Sequence, residues 1–115
     1  MAKDDYFRIV YLILRYLYSQ MKKGIINVEL DDLLENSDLP SIPESYFNEI
    51  VKNLFDDGYI TGEIKETKYI HERYPRIIIK SLKIKPKGIE YLNDNSMMKK
   101  VAKALGDISD IVGII

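Results

Sequence analysis

The chain has 115 residues, of which 46% are hydrophobic and 30% charged, a composition typical of one globular domain. The 17 lysines and arginines nearly balance the 18 acidic residues, so the net charge of -1 creates no overall positive field for a nucleic acid. The absence of cysteine excludes disulfide frameworks, thiol nucleophiles and cysteine-ligated metal sites. We expect a cytoplasmic protein in which any binding site is local.

The start of the chain does not resemble an export signal. Asp4 and Asp5 stand where a signal peptide carries its positive charges. The longest apolar run, from Ile9 to Leu14, is much shorter than the roughly 20 residues that span a bilayer. Neither secretion nor a membrane partner is expected.

Helix 1 is predicted over residues 4–23, with Gly24 as its stop. Its apolar side chains recur at helical spacing, at Tyr6, Ile9, Val10, Ile13, Leu14, Leu17 and Met21. A brief β-branched strand is predicted over residues 25–28. A short second helix follows, which contains Leu30, Leu33 and Leu34.

A third helix is predicted after the turn-forming residues 36–43. Ser41 and Glu44 have the spacing of a capping box, and Pro43 is tolerated in a first helical turn. The helix ends at Gly58, and its apolar stripe is Phe47, Ile50, Val51, Leu54 and Phe55.

The pattern then becomes strand-like, and residues 59–65 and 76–85 predict an antiparallel hairpin. Its phase slips near Lys80 and Ser81, which predicts a bulge. Pro86 opens a further helix, and a last helical segment follows. This order predicts an α+β winged-helix domain over residues 1–95, built as helix, short strand, helix, helix, two-strand wing and helix. A C-terminal helical extension covers residues 96–115.

Four segments resemble the YjcQ-like family: Met1-Ala-Lys-Asp-Asp-Tyr-Phe, Asp57-Gly-Tyr-Ile, Lys85-Pro-Lys-Gly-Ile-Glu-Tyr-Leu and Asn95-Ser-Met-Met-Lys-Lys. The resemblance implies a small winged-helix protein from Gram-positive bacteria or their phages, in a family without an established biochemical activity. The segment from Lys85 also resembles the Leu-Thr-Pro-Lys-Gly step that follows the wing in many winged-helix regulators. Lys85 replaces the threonine of that step and cannot act as a helix cap, because its ammonium group accepts no hydrogen bond.

Charge is unevenly distributed along the chain. Residues 1–58 carry a net charge of -5 and residues 59–115 a net charge of +4. Residues 65–87 alone carry +6, and their bases are Lys65, Lys68, Arg73, Arg76, Lys80, Lys83, Lys85 and Lys87. Positive charge is therefore concentrated on the predicted wing.

This distribution predicts duplex DNA as a partner, bound by phosphate contacts from the wing. The predicted contact residues are Lys65, Lys68, Arg73 and Arg76 on the wing and Ser45, Asn48 and Lys52 on helix 3. Helix 3 argues against a conventional major-groove reader, because residues 43–57 carry a net charge of -3 and no arginine. Alternatively, the lysines of the wing protect an edge strand from aggregation.

A protein-interaction module is the other hypothesis, with the acidic surface of helix 3 or a C-terminal apolar stripe as the contact. The stripe is heptad-like and consists of Met98, Val101, Leu105, Ile108, Val112 and Ile115. It either packs on helix 1 of the same chain or forms a homodimer through residues 98–115.

Enzymatic activity is not expected. His71 is the only histidine and lies in the predicted wing tip, without a second histidine or a cysteine to complete a metal site. Glycine-rich phosphate loops are absent from the sequence. We therefore expect no catalytic residues, no metal, no cofactor and no small-molecule ligand.

Overall fold

The computed structural model describes residues 5–67 and 76–105. In these ranges the order of elements is α1 (Asp5–Lys22), α2 (Leu30–Asn36), α3 (Glu44–Asp56), β1 (Ile60–Thr67), β2 (Arg76–Ile84), α4 (Pro86–Asn93) and α5 (Asn95–Leu105). The strands form a two-stranded antiparallel sheet. The predicted mixed α+β composition and the order of the helices and the hairpin are confirmed. None of the helices in these ranges is long and apolar enough to cross a bilayer.

Helix α1 runs through the middle of the fold and contacts α2, α3, α4, α5 and β2. The predicted stripe is confirmed, since its central members are buried: Ile9, Val10, Ile13, Leu14 and Leu17. Tyr11 and Leu12, which lie off that stripe, are also buried, against Val101 of α5. Each fully buried large aliphatic side chain contributes about 1.5 to 3 kcal/mol. The helix is therefore covered on two sides, which agrees with its unbroken apolar run from residue 9 to 14.

Helix α5 packs on α1 and α4. Val101 is 2% exposed, and Met98 is half-buried beside it. For these two residues the apolar stripe is covered by the same chain. Ile108, Val112 and Ile115 lie outside the described residues.

Asp94 caps the start of α5. Its Oδ1 accepts hydrogen bonds from the backbone N–H groups of Ser96 and Met97, at 2.9 and 3.1 Å. It also accepts one from the Ser96 hydroxyl at 2.7 Å. These bonds, led by the one from the Ser96 hydroxyl, hold the pKa of the Asp94 carboxyl below its usual range. The cap therefore favours a helical start immediately after α4.

The predicted strand over residues 25–28 is wrong except at its last residue. Val28 forms an isolated antiparallel bridge with Leu82 of β2, with N···O distances of 2.8 and 2.9 Å. Ile25 instead completes the end of α1, because its N–H donates to the Gln20 carbonyl at 2.9 Å. Gly24, at φ +88°, supplies the left-handed residue that this helix ending requires.

The predicted capping box at Ser41 and Glu44 is also wrong. Helix α3 begins at Glu44 with Pro43 as its cap, and no side chain bonds to the first turn. A residue that precedes a proline is disfavoured in helical conformation, so Ile42 cannot enter the helix and Ser41 lies too far upstream to cap it. The predicted core stripe of α3 is confirmed for Phe47, Ile50, Val51 and Leu54, whereas Phe55 is 38% exposed.

The hairpin has the predicted bulge. Its register runs from Ile60 opposite Ile84 to Thr67 opposite Arg76, with an irregularity between Thr61 and Glu63. On β2 the extra residue falls at Ser81 and Leu82, and Ser81 has φ 56°. The bulge lets Leu82 point into the core while its backbone bridges Val28. Strand β2 therefore bonds both to β1 and to the segment between α1 and α2.

Gly88 permits α4 to lie directly against the start of the hairpin. A Cβ atom at this position would lie 2.5 Å from the Tyr59 carbonyl oxygen and 2.7 Å from Cγ1 of Ile84. Only glycine fits such an approach without a backbone shift.

We expect Gly88→Ala to lower the free energy of unfolding by about 2 kcal/mol, because overpacking against rigid backbone outweighs the gain in helix propensity. Urea unfolding monitored by circular dichroism measures the change. Glu90→Ala, at an exposed position of the same helix, is the matched control and should change stability by less than about 0.5 kcal/mol. Equal stability of the two variants would contradict the packing argument.

Candidate nucleic-acid interface

The outer face of the hairpin carries charged side chains next to one apolar side chain. Glu63 lies opposite Lys80, and Lys65 lies opposite Ile78. All four are exposed, and Ile78 is 41% exposed. Directly opposed residues share a face, so these two pairs form one continuous surface. Two lysines and an apolar side chain on one ribbon can contact a phosphate backbone.

The lysines that follow the bulge differ in their surroundings. Lys85, the residue between β2 and α4, is exposed, and Lys83 is half-buried. Lys87 donates a hydrogen bond to the Asp57 carbonyl at 2.9 Å, and its Nζ lies 4.9 Å from the centre of the Tyr59 ring. Lys87 therefore joins α4 to the end of α3 while its side chain remains exposed. Its two partners are about 30 residues away along the chain, so no local sequence pattern indicates this role.

The predicted contact residues of α3 lie on one side of the helix. Ser45 and Lys52 are exposed, and Asn48 is half-buried. Their spacing of three and four residues places them in one row. Glu44 and Glu49 are exposed beside them, so the row is not cationic. Helix α3 contacts β1, so this helix and the hairpin are neighbours in the fold.

Some of the predicted wing contacts fall at the tip. Lys68 and Arg73 lie outside the described residues, as do Tyr69, His71 and Tyr74. Arg76 is the first residue of β2 and pairs with Thr67. Among the described residues, no three histidine, aspartate or glutamate side chains are grouped closely enough to hold a metal ion.

A comparison with family models shows the family of this chain. The model described as YjcQ protein matches residues 11–111, which is most of the sequence. The chain belongs to the YjcQ family. Three of the four segments that carry the resemblance lie within the matched range, and the first segment precedes it. No curated protein and no solved structure matches this chain.

Two tyrosines of this YjcQ-family protein have contrasting environments. Tyr91 is buried, edge-on to Tyr59 at 5.6 Å between ring centres, and its hydroxyl has no hydrogen-bond partner among the described residues. The Tyr16 hydroxyl donates to Oδ2 of Asp32 at 2.7 Å and so links α1 to α2. Burial is the main cause that raises the pKa of both phenols from 10.0 to about 12. For Tyr16 the bond to Asp32 is the next cause.

The two phenylalanine variants should have opposite effects on stability. Tyr16→Phe removes a bond to a carboxylate and should lower the free energy of unfolding by about 1 kcal/mol. Tyr91→Phe removes a buried hydroxyl without a protein partner and should leave stability unchanged or raise it by up to about 1 kcal/mol. Urea unfolding of the two variants gives both values. A larger loss for Tyr91→Phe than for Tyr16→Phe would contradict the assignment.

The raised phenol pKa values also predict the dependence of stability on alkaline pH. A phenol with a higher pKa in the folded state contributes stability that is complete below its unfolded pKa of 10.0 and is lost as the pH rises towards about 12. The difference in unfolding free energy between about pH 9 and about pH 11 should therefore be smaller in the Tyr16→Phe/Tyr91→Phe variant than in the unchanged protein. Identical differences would show that these phenols do not govern the alkaline loss.

Proposed function

We propose that this YjcQ-family protein is a winged-helix protein that binds duplex DNA, acts in a regulatory setting and has no enzymatic activity. The hairpin β1–β2 is the wing in this proposal and contacts phosphates. The observation that carries the proposal is the outer face of the hairpin, where the exposed lysines Lys65 and Lys80 outnumber the exposed Glu63, next to a chain segment, residues 65–87, with a net charge of +6. Phosphate neutralisation by such lysines provides most of the non-specific affinity for DNA.

Two features of the fold support the winged-helix interpretation. The helices and the hairpin follow one another in the predicted order, and α3 contacts the first strand of the hairpin. Val28, between α1 and α2, bridges β2 in place of the short first strand. This isolated bridge lies at the place in the chain where a winged helix has its short first strand.

The charge of α3 limits the mode of binding that we propose. Ser45 and Asn48 are polar and Lys52 is cationic, but Glu44 and Glu49 share their side of the helix. Acidic side chains beside phosphates oppose close entry of this helix into a groove. We therefore expect binding that depends strongly on salt and weakly on base sequence. A role in phages or prophages is part of the proposal and is supported by the family resemblance alone.

The test is fluorescence anisotropy with a mixed-sequence duplex over a series of salt concentrations. Lys65→Ala/Lys80→Ala should weaken binding roughly tenfold at low salt and reduce the slope of log K against log salt by about 1 to 2, because two phosphate contacts are lost. Lys68→Ala/Arg73→Ala/Arg76→Ala should have a comparable effect.

Lys99→Ala/Lys103→Ala is the matched control, because it removes the same charge from exposed positions of α5, which packs on α1 and α4. This control should bind nearly as well as the unchanged protein. Absence of salt-dependent binding by the unchanged protein, or an equal loss in the α5 control, would refute the proposed wing contacts.

A homodimer through residues 98–115 remains a prediction. Met98 and Val101 already pack within the chain, so such a dimer would have to use the part of the stripe that follows Val101.

A further inference from the structure

An apolar groove separates α2 from α3. It has a volume of about 530 Å³ and is formed by α2, the connection between the helices and the first turns of α3. Its apolar lining consists of Leu30, Leu34, Leu39, Pro40, Ile42 and Phe47. Leu34 is 47% exposed, the highest exposure among the large apolar side chains of the described residues. Such a lining indicates a contact surface that the described part of the chain does not cover.

The groove exists because the apolar side of the short helix α2 is wider than the part that the core covers. Leu33 is fully buried and faces the core. Leu34 points about 100° away from it, and Leu30 lies between the two, packs against the core and lines the groove with Leu34. On the α3 side of the groove, Phe47 is 5% exposed. It packs against the core and forms the floor of the groove. The groove thus combines side chains of two helices with four residues of the connection, from Leu39 to Ile42.

The surroundings of the groove are strongly acidic. Residues 29–49, from the start of α2 to the second turn of α3, contain seven acidic residues and no basic residue. Glu44 lines the groove itself, and Asp31 and Glu35 are exposed on α2. An apolar floor with an acidic rim favours a ligand that presents apolar side chains between positive charges.

The shape of the groove favours a helical ligand. All its lining residues belong to helices and to the connection between them, so no strand edge is available to pair with an extended peptide. A helix satisfies its own backbone hydrogen bonds and can insert apolar side chains at a spacing of three and four residues. We propose that the groove between α2 and α3 binds a cationic amphipathic helix of a partner protein.

Charge does not favour the chain's own C-terminal residues as the occupant. Residues 106–115 contain Asp107 and Asp110 and no lysine or arginine. Their negative charge would oppose insertion beside Glu44. The proposed ligand is therefore a separate cationic chain, and its binding is independent of the DNA contacts proposed for the hairpin.

The probe is a capped synthetic peptide of about 14 residues, or about four helical turns, with leucines on one side of the helix and lysines at the other positions. One control peptide has the same composition with scattered leucines, and a second keeps the leucine stripe but replaces lysine by glutamate. Binding is measured by isothermal titration calorimetry with the full chain. The striped lysine peptide should bind at least about tenfold more tightly than either control, because only it matches both the floor and the rim.

Leu34→Asn tests the location of the site. It should weaken binding of the striped lysine peptide by about tenfold or more, because a buried leucine contact is lost. Ile25→Asn is the matched control, since Ile25 is 46% exposed and lies outside the groove. Both positions are half-exposed, so neither substitution should unfold the protein, and circular dichroism verifies this.

Several results would overturn the proposal. Equal binding of the striped and scattered lysine peptides would mean general charge attraction, and equal loss in the two asparagine variants would place the site elsewhere. A protein that does not bind the peptide but forms a dimer that Leu34→Asn dissociates would identify a second copy of the chain as the occupant.

Loss of peptide binding in Leu34→Asn with unchanged DNA affinity would support the proposal and separate it from the function of the hairpin.

Discussion

Helix α1 is surrounded by other elements, and its burial is the constraint on which the rest of the fold depends. Ile9, Ile13 and Leu14 have no exposed surface, and α2, α3, α4, α5 and β2 all contact this helix. Strand β1 pairs with β2 and contacts α3. An apolar helix of this kind is stable in water only when it is covered on more than one side. The position of α5 against Tyr11 and Leu12 follows from that requirement.

The base of the hairpin links this core to the exposed surface. Lys87 bonds to the Asp57 carbonyl at the end of α3, and its ammonium group lies over the Tyr59 ring at the start of β1. Gly88, one residue later, brings α4 within contact distance of the Tyr59 carbonyl. These contacts fix the direction in which the hairpin leaves the helices, and so fix where Lys65 and Lys80 stand relative to α3.

Opposite charges on different elements give the molecule two surfaces of different chemistry. The hairpin is cationic, which favours phosphate, whereas α2, α3 and their connection are acidic around an apolar groove, which favours a positively charged helix. Asn48 belongs to both proposals, because it lines the groove and lies in the row predicted to face DNA. A ligand in the groove would therefore cover part of the α3 surface and leave the outer face of the hairpin accessible.

The sequence alone determined the elements that depend on local periodicity: the buried stripes of α1 and α3, the antiparallel hairpin with its bulge, the stop at Gly24 and the separation of charge between the two halves. Of the predicted contact residues, Ser45, Lys52 and Lys65 are exposed. Asn48 is half-buried, because it lines the groove. The tertiary structure decided what depends on residues far apart in the chain. Four features require contacts between separate elements: the single bridge at Val28, the packing of α5 over Tyr11, the bond between Lys87 and Asp57, and the groove beside Leu34. No window of neighbouring residues contains that information.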